Sequence, residues 1–426
     1  MLIAHMPELD ADTLRVLLMD PTKPWGIVNE LLHYRQATTK LQSVSSKDPI
    51  IPGSLLVLSC PFQDFSRSLS LPEDRPDLEG LPDVVINALR SGACHLVIDG
   101  AAEGWAFEPV VIERFHEMLA QFGVSPKVVT LLTQNRSFSK AYTDWSDERG
   151  ILDKIQVICG QLWIPYIARQ AVDCVDQFEN AQHLIPSKKY VCLNSRPRLH
   201  RILLLCSLIK TQVLDEGYVS FGGFKQAGDL LGRSFRVGFE PDDLRRLYPP
   251  LSDEITYLEK RGTLIADISP DQPALLNTEF ALPLYQDSYF TIVAESDFTN
   301  GSVDRVTEKI LKPILGKHPF IIVGNPFSLE RVRDMGFKTF APYIDESYDQ
   351  ITDPALRFKS VTAEIQRLTT LPHQQLKKLC ETLHDVTKYN YDYLTNEFVS
   401  GWCRSAVLKV ESDLKTALNS SKKFDL

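Results

Sequence analysis

Residues 289–296 read Tyr-Phe-Thr-Ile-Val-Ala-Glu-Ser, and residues 319–324 read Pro-Phe-Ile-Ile-Val-Gly. Each is a short run of apolar and β-branched residues, which is typical of a strand buried in a parallel sheet. Between them, residues 306–315 predict a helix that bends at Pro313 and ends at Gly316. Strand, helix and strand in this order form a βαβ unit. This part of the chain therefore predicts an α/β fold with a parallel sheet.

The same alternation extends in both directions along the chain. Asn325-Pro326 and Asp353-Pro354 each predict a helix start, with a capping side chain and a proline in the first turn. Further strands are predicted at residues 54–60, 95–98, 126–133 and 190–193, and further helices at 109–121, 201–214 and 373–400. The pattern fades near residue 186. We therefore predict an N-terminal domain (1–186), a C-terminal domain (187–371) and a helical tail (372–426) that packs back on the N-terminal domain or serves an interface.

Composition excludes several classes of protein. Lys and Arg total 46 against 55 Asp and Glu, a formal charge of −9, which disfavours a nucleic-acid binder held by bulk charge. Charged residues are 24% and hydrophobic residues 44%, as in soluble globular proteins. The start of the chain lacks a basic region before its acidic residues, and no apolar run approaches the roughly 20 residues of a membrane span. The eight cysteines show no metal-binding spacing. A cytoplasmic protein is expected.

The first cluster of polar residues follows the strand at 190–193 and contains Asn194, Arg196, Arg198 and Arg201. Open α/β sheets bind ligands at the edge where parallel strands end. Arginines beside a helix start can hold a phosphate with their guanidinium groups and with free backbone N–H groups. The alternative is a solvated basic turn with Arg201 on an exposed helix face.

The second cluster is the acidic turn that follows the strand at 289–294, in which Glu295 is the first residue. A carboxylate at the edge of the sheet can accept hydrogen bonds from ribose or sugar hydroxyls. The alternative is an acid that caps the following loop.

The third cluster is residues 305–313, in which Thr307 is a candidate helix cap, followed by Glu308 and Lys309. Lys309 and Lys312 are three residues apart, hence on roughly one face of a helix. A lysine at a helix start opposes the helix dipole unless an anion lies between them. The alternative is an amphipathic helix with its charges in water. Together, the three clusters supply cations that would bind a pyrophosphate and an acid that would bind hydroxyls. This combination fits a nucleotide-sugar.

The order of these motifs resembles the donor-binding domain of the α1,3-fucosyltransferase family. The matching stretches are Tyr190 to Arg198, the helix after it, Asp215-Glu-Gly-Tyr218, the strand ending in Glu295, and Val306-Thr-Glu-Lys309. The segment from Lys312-Pro313 to Tyr348 is more similar to distant viral and bacterial glycosyltransferases. The resemblance covers residues 188–350. Lys312-Pro313 stands where the family continues Asn-Ala, and the N-terminal half shows no match, so fucose is not assumed as the sugar.

The resemblance implies a GT-B glycosyltransferase, with two Rossmann-like domains facing across a cleft and the nucleotide-sugar in the C-terminal domain. Arg196 or Arg198 would contact the pyrophosphate, and Glu295 would hold a sugar or ribose hydroxyl. Glu308 would bind the nucleotide ribose, and Lys309 would neutralise the departing phosphate. The predicted donor-binding residues are Asn194, Arg196, Arg198, Glu295, Thr307, Glu308, Lys309 and Lys312. The donor, for which a GDP-sugar is one candidate, is expected as a substrate, and no tightly bound cofactor is expected.

An inverting transferase also needs a general base in the acceptor domain. Asp99 and Glu103 follow the strand at 95–98, beside Gly100 and Gly104, which would let a substrate approach. The alternative role for Asp99 is a loop or helix cap. No metal-binding Asp-x-Asp motif stands in a suitable context, so metal-independent transfer to a glycan, glycolipid or other hydroxyl acceptor is predicted. Two other functions stay open: a non-catalytic α/β interaction module, and a glycosyltransferase acting on a modified DNA base.

Overall fold

A computed structural model describes most of the chain. The described residues are 14–18, 27–35, 39–43, 50, 52–59, 81–101, 104–173, 185–194, 196–230, 233–267 and 280–421. They divide into two compact units: one runs up to Tyr166 and resumes at Cys403, and the other spans Ile167–Trp402. The predicted domain boundaries at 186/187 and 371/372 differ in position from these. The predicted tail, 372–426, is shared between the two units.

The first unit is an α/β sandwich around a parallel sheet. Its described elements are β1 (Leu14–Leu18), α1 (Ile27–Arg35), β2 (Thr39–Ser43), β3 (Ser54–Ser59), α2 (Asp83–Arg90), β4 (Cys94–Gly100), α3 (Pro109–Gln121), β5 (Val129–Thr133), α4 (Arg136–Glu148), β6 (Gln156–Cys159) and α5 (Trp163–Asp173), which continues into the second unit. The strands are parallel in the order β2-β1-β3-β4-β5-β6. The predicted strand 95–98 is longer than expected, because it includes Asp99 and Gly100, which pair with β3 and β5.

Both faces of this sheet are covered by helices, as the continuous apolar strands require. Along β4, Leu96 and Ile98 pack on one face with α3 and α4, whereas Val97 packs on the other face with α1. This second face is completed by the last helix of the chain, α15 (Arg404–Ser421), through Val407, Val410, Leu414 and Leu418. The end of the chain is thus part of the core of the first unit.

The second unit contains a smaller parallel sheet and most of the remaining helices. Its described elements are β7 (Tyr190–Asn194), α6 (Leu199–Lys210), β8 (Gly217–Phe221), β9 (Lys225–Leu230), β10 (Arg233–Gly238), α7 (Pro241–Leu247), α8 (Ser252–Arg261), α9 (Leu282–Gln286), β11 (Phe290–Ala294), α10 (Leu311–Leu315), β12 (Phe320–Val323), α11 (Ser328–Asp334), α12 (Pro354–Thr369), α13 (His373–Thr382), α14 (His384–Tyr393) and a π-helical segment, Leu394–Cys403, that leads into α15. The sheet order is β12-β11-β7-β8, and β9 and β10 form a separate antiparallel pair. The predicted α/β class is confirmed, with a parallel sheet in each unit.

Two predicted helix starts have different outcomes. Asp353 caps α12 as predicted, because its carboxylate accepts a hydrogen bond from the backbone N–H of Leu356 at 2.8 Å. Asn325 does not cap α11. Its side-chain oxygen accepts hydrogen bonds from Thr299. The backbone N–H groups of Leu329 and Glu330 in α11 donate instead to the carboxylate of Asp349.

The helix predicted over residues 306–315 is shorter in the structure. Residues Glu308–Ile310 form one 3₁₀ turn, and α10 continues from it up to Gly316. Thr307 stands at the start of this turn without a capping hydrogen bond from its side chain. The turn places residues 307–309 beside the end of β11.

Candidate functional site

The candidate site lies at the edge of the second unit's sheet where its strands end. β7 and β11 are neighbours there, and the chain leaves β7 through α6 to reach β8 on the opposite side of β7. The strand order therefore reverses between β7 and β11. Open α/β sheets bind their ligands in the crevice formed at such a reversal.

The end of β7 presents a buried amide. The Asn194 side chain donates from Nδ2 to the Sγ atom of Cys192 at 3.2 Å. Its Oδ1 atom is buried and has no hydrogen-bond partner in the described part of the chain. An unpaired buried acceptor costs free energy, so this oxygen would gain from a donor supplied by a ligand or by water.

Arg201 holds two segments of this site together. Its side chain is 5% exposed, and its guanidinium group donates to the carbonyl oxygens of Ala294 and Glu295 at 2.9–3.2 Å and of Arg196 at 3.2 Å. It thus joins the segment after β7 to the end of β11. Burial, together with the positive charge of Arg198, lowers the pKa of Arg201 to about 10. The alternative of Arg201 on an exposed helix face is wrong.

Arg198 differs from Arg201 in its surroundings. It stands at the N-cap position of α6, half-buried, and its guanidinium group forms no ion pair or hydrogen bond with any residue that the structure describes. Its positive charge acts on Arg201 and on His200, whose pKa it helps to lower. Arg196 is also half-buried. Two neighbouring cations at a helix start form a site suited to an anion.

Glu295 follows β11 directly and is 2% exposed. Its carboxylate accepts hydrogen bonds from the backbone N–H of Thr307 at 3.1 Å, from the Thr307 hydroxyl at 2.5 Å, and from the backbone N–H of Ser296 at 3.3 Å. The predicted role, holding a sugar or ribose hydroxyl, stays a prediction. In the structure this carboxylate holds the third cluster against the end of β11.

Lys309 and Glu308 form the polar end of the third cluster. The Lys309 ammonium group donates to the hydroxyls of Ser296 and Thr307 at 3.1 Å each and pairs with the carboxylate of Glu308 at 3.2 Å. Burial acts to raise the pKa of Glu308, but the charges of Lys309 and Arg305 outweigh it and hold this pKa below its ordinary value. Glu308 is therefore an anion at neutral pH.

Lys312 contacts a different part of the unit from Lys309. Its ammonium group lies 5.8 Å from the centre of the Phe280 ring. The contacts of Lys309 are with Ser296, Thr307 and Glu308 instead. The structure thus brings Glu295, Thr307, Glu308 and Lys309 into one network, whereas Lys312 lies against an aromatic ring.

Two residues that support the site were not predicted. His200 donates from Nε2 to the carbonyl oxygen of Glu295 at 2.9 Å, and burial lowers its pKa to about 3, so it is neutral. Arg357 is buried and donates to the carbonyl oxygens of Gly324, Ile351, Thr352 and Thr299. His200 stands between Arg198 and Arg201 of the first cluster, so the sequence does indicate that it lies near the site. The partners of Arg357 are spread over 299–352, and no local pattern indicates them.

The candidate base in the first unit lies inside a strand. Asp99 is 2% exposed, and its carboxylate accepts hydrogen bonds from the backbone N–H groups of Ile27, at 2.7 Å, and Ala101, at 3.0 Å. Burial raises the pKa of Asp99 to about 6, although these two hydrogen bonds lower it. Ile27 is the first residue of α1, so Asp99 meets the start of that helix. Glu103 lies outside the described residues.

Gly100 serves packing at the end of β4. A Cβ atom at this position would lie 2.0 Å from the Trp105 ring, so the indole occupies the space that a side chain would need. Because the ring fills this space, a close approach of substrate to Gly100 has no support in the structure.

Two features are absent from the described residues. No group of three or more His, Cys, Asp or Glu in these ranges is arranged to hold a metal ion. No helix in the described part of the chain has the length and apolar character needed to span a membrane.

Comparisons with known proteins give a weak likeness. No family model matches the chain, and no curated protein matches it with significance. Among solved structures it is similar to the alpha,alpha-trehalose 6-phosphate synthase of Burkholderia multivorans, with a TM-score of 0.40 and 11% sequence identity, over 94% of this chain and 98% of that chain.

Proposed function

We propose that this protein is a glycosyltransferase that moves a sugar from a nucleotide-sugar to a hydroxyl group of a glycan, glycolipid or other acceptor. Transfer proceeds with inversion at the sugar and without a metal ion. One observation carries the proposal. The half-buried cation Arg198, which has no partner among the described residues, stands at the start of α6 where the strand order reverses.

A diphosphate fits the chemistry at the start of α6. The first N–H groups of a helix have no partner within the helix and attract anions. Arg198 adds a guanidinium group, which binds phosphate oxygens in a bidentate manner. The buried charge of Arg201 increases the positive potential around Arg198. Of the two arginines predicted to contact the pyrophosphate, Arg198 is therefore the better supported.

The third cluster supplies the remaining groups of a nucleotide-sugar site. Glu308 is ionised at neutral pH, so its carboxylate can accept hydrogen bonds from ribose hydroxyls. The Lys309 side chain is 30% exposed, and its ammonium group would exchange one of its internal hydrogen bonds for a phosphate oxygen. Fixed cations of this kind stabilise the negative charge that develops on a departing diphosphate.

The first unit offers no equivalent anion site at the start of α1. The position that a phosphate would take there is filled by the protein's own Asp99 carboxylate, bonded to the N–H of Ile27. This supports assigning the nucleotide to the second unit, and the family resemblance assigns the acceptor to the first. In the proposed reaction a base, for which Asp99 and Glu103 are the candidates, takes the proton of the acceptor hydroxyl. That oxygen bonds to the anomeric carbon as the bond to the diphosphate breaks, and the diphosphate leaves with the electron pair.

The test is calorimetric titration of the full-length protein with GDP, UDP, CDP, CMP and TDP. We expect one nucleoside diphosphate to bind with a micromolar Kd. Arg198→Ala and Lys309→Ala should each weaken binding about tenfold or more, because a hydrogen bond to a charged group contributes about 1.5–3 kcal/mol. Arg246→Ala and Lys377→Ala are matched controls, since both side chains are exposed on helices of the second unit.

Two results would contradict the proposal. One is a folded protein that binds none of these nucleotides, which would leave the non-catalytic interaction module as the better account. The other is binding that the site variants and the control variants alter equally, because the nucleotide would then bind elsewhere.

A further inference from the structure

The Glu295 side chain is immobilised by its surroundings. Its two carboxylate oxygens accept hydrogen bonds from the N–H and the hydroxyl of Thr307 and from the N–H of Ser296. Its Cγ atom also lies 3.0 Å from where a Cβ would be placed at Gly324, so the side chain packs closely over the end of β12. A buried carboxylate with three internal donors is held in one orientation.

This arrangement fixes the direction of the Thr307 hydroxyl. A threonine hydroxyl has one proton to donate and two lone pairs to accept with. The proton goes to Glu295, whose carboxylate oxygen accepts it at 2.5 Å. The Lys309 ammonium group, 3.1 Å from the same oxygen, therefore meets a lone pair. A hydroxyl turned the other way would repel it.

The ammonium group of Lys309 is thus held at three points. The Ser296 hydroxyl and the Glu308 carboxylate provide the other two, at 3.1 and 3.2 Å. Ser296 is itself fixed, because its backbone N–H donates to Glu295. Two of the three acceptors of Lys309 therefore depend on the Glu295 carboxylate.

We propose that Glu295 and Thr307 are positioning residues, which hold the ammonium group of Lys309 where the proposed reaction needs it, beside the departing diphosphate. The inference rests on the proposed function for the identity of the anion. The role differs from the one that the family resemblance implies for Glu295, since its carboxylate acts through Thr307 and Lys309 instead of binding a sugar hydroxyl.

The first experiment measures the chemical reactivity of the Lys309 amine and needs no nucleotide. The folded protein is exposed briefly to an acetylating reagent, and modification of Lys309 is followed by mass spectrometry. Thr307→Val removes the hydroxyl and keeps the shape of the side chain, and we expect Lys309 to react several-fold faster. Thr307→Ser keeps the hydroxyl and should react as the wild type does. Thr382→Val, the same change on the exposed face of α13, is the matched control.

The second experiment is a double-mutant cycle on the affinity for the nucleoside diphosphate. Thr307→Val should weaken binding about fivefold in the wild-type background. It should have no effect in the Lys309→Ala background, because a residue that acts through Lys309 has nothing left to position. If Thr307→Val does not fold, Thr307→Ala removes the same hydroxyl with less steric change.

The outcomes separate the two proposals. Unchanged reactivity of Lys309 in Thr307→Val, or equal losses of affinity in both backgrounds, would overturn the positioning role even if nucleotides bind. Faster reaction of Lys309 in a protein that binds no nucleotide would support the positioning role and refute the proposed function.

Discussion

Replacing Asp99 by asparagine tests how much the enclosed carboxylate of the first unit costs the folded protein. Asp99 is buried at the end of β4 and faces the start of α1. Burial raises its pKa from an ordinary value of 3.8 to about 6. The folded state therefore binds a proton at Asp99 more tightly than the unfolded state does. Asparagine has nearly the same shape and does not titrate in this range.

The sign and size of the effect follow from this pKa. A group with a raised pKa contributes stability that is fully present below pH 3.8 and is lost as the pH rises through about 6. One pKa unit corresponds to about 1.4 kcal/mol, so the full contribution is about 3 kcal/mol. About 2 kcal/mol of it is lost between roughly pH 4.5 and pH 7.5. The asparagine side chain would also lose one of the two backbone hydrogen bonds, but that cost does not depend on pH.

The measurement is urea denaturation of wild type and Asp99→Asn over this pH range, followed by tryptophan fluorescence. All other groups titrate in both proteins, so the difference between their free energies of unfolding isolates Asp99. We expect this difference to shift by about 2 kcal/mol in favour of the variant as the pH rises. Asp144→Asn, an exposed position on α4, should change stability by less than about 0.5 kcal/mol. A difference that is flat, or that shifts toward the wild type, would refute the raised pKa and weaken Asp99 as a candidate base.

Two further predictions concern the second unit. Arg201→Lys should lower the free energy of unfolding by about 3 kcal/mol, because an ammonium group cannot reach all the carbonyl oxygens that the guanidinium group joins; urea denaturation measures this, and a loss below about 1 kcal/mol would contradict it. Gly336→Ala should cost more than Gly262→Ala. Both glycines have positive φ, of 94° and 67°, but a Cβ at Gly336 would lie 2.5 Å from the Tyr393 hydroxyl, whereas one at Gly262 would meet nothing within 4 Å. Equal melting temperatures for these two variants would refute the steric argument.

Much of the fold is readable from local patterns. The strands around 289–294 and 319–324 are buried on both faces, so nearly every residue in them is apolar, and that run is visible in the sequence. The cap at Asp353 is also local, because the backbone N–H that donates to its carboxylate belongs to Leu356, three residues later. The segment 222–285 carries weaker signals. The β9–β10 pair within it lies outside the four-stranded sheet and lacks the continuous apolar run of a buried strand.

The errors in the prediction arise where a distant residue competes for a polar group. Asn325 has the sequence of a helix cap, but Thr299 takes its side-chain oxygen, and Asp349 supplies the cap from about 20 residues downstream. The apolar run before Glu295 predicts this residue at the sheet edge. Two of its three internal donors, the N–H and the hydroxyl of Thr307, are not predictable, because they depend on where the chain returns twelve residues later. Sequence patterns place a polar residue at an edge, but tertiary contacts decide whether its bonding capacity is left for a ligand.

In both units a helix starts beside the end of a parallel strand, but the charge of the side chain placed there is opposite. In the first unit, the carboxylate of Asp99 in β4 accepts a hydrogen bond from the first residue of α1. It therefore neutralises the partial positive charge at the start of that helix. In the second unit, the residue at the start of α6 is an arginine, and the nearby carboxylate, Glu295, is turned toward Thr307 instead. Positive charge at the start of α6 is therefore increased where the other unit neutralises it. Holding Arg198 beside the buried Arg201 is unfavourable in the absence of an anion, because like charges repel. A site that carries this cost gains most from binding a multiply charged anion, and the proposed nucleoside diphosphate is such an anion.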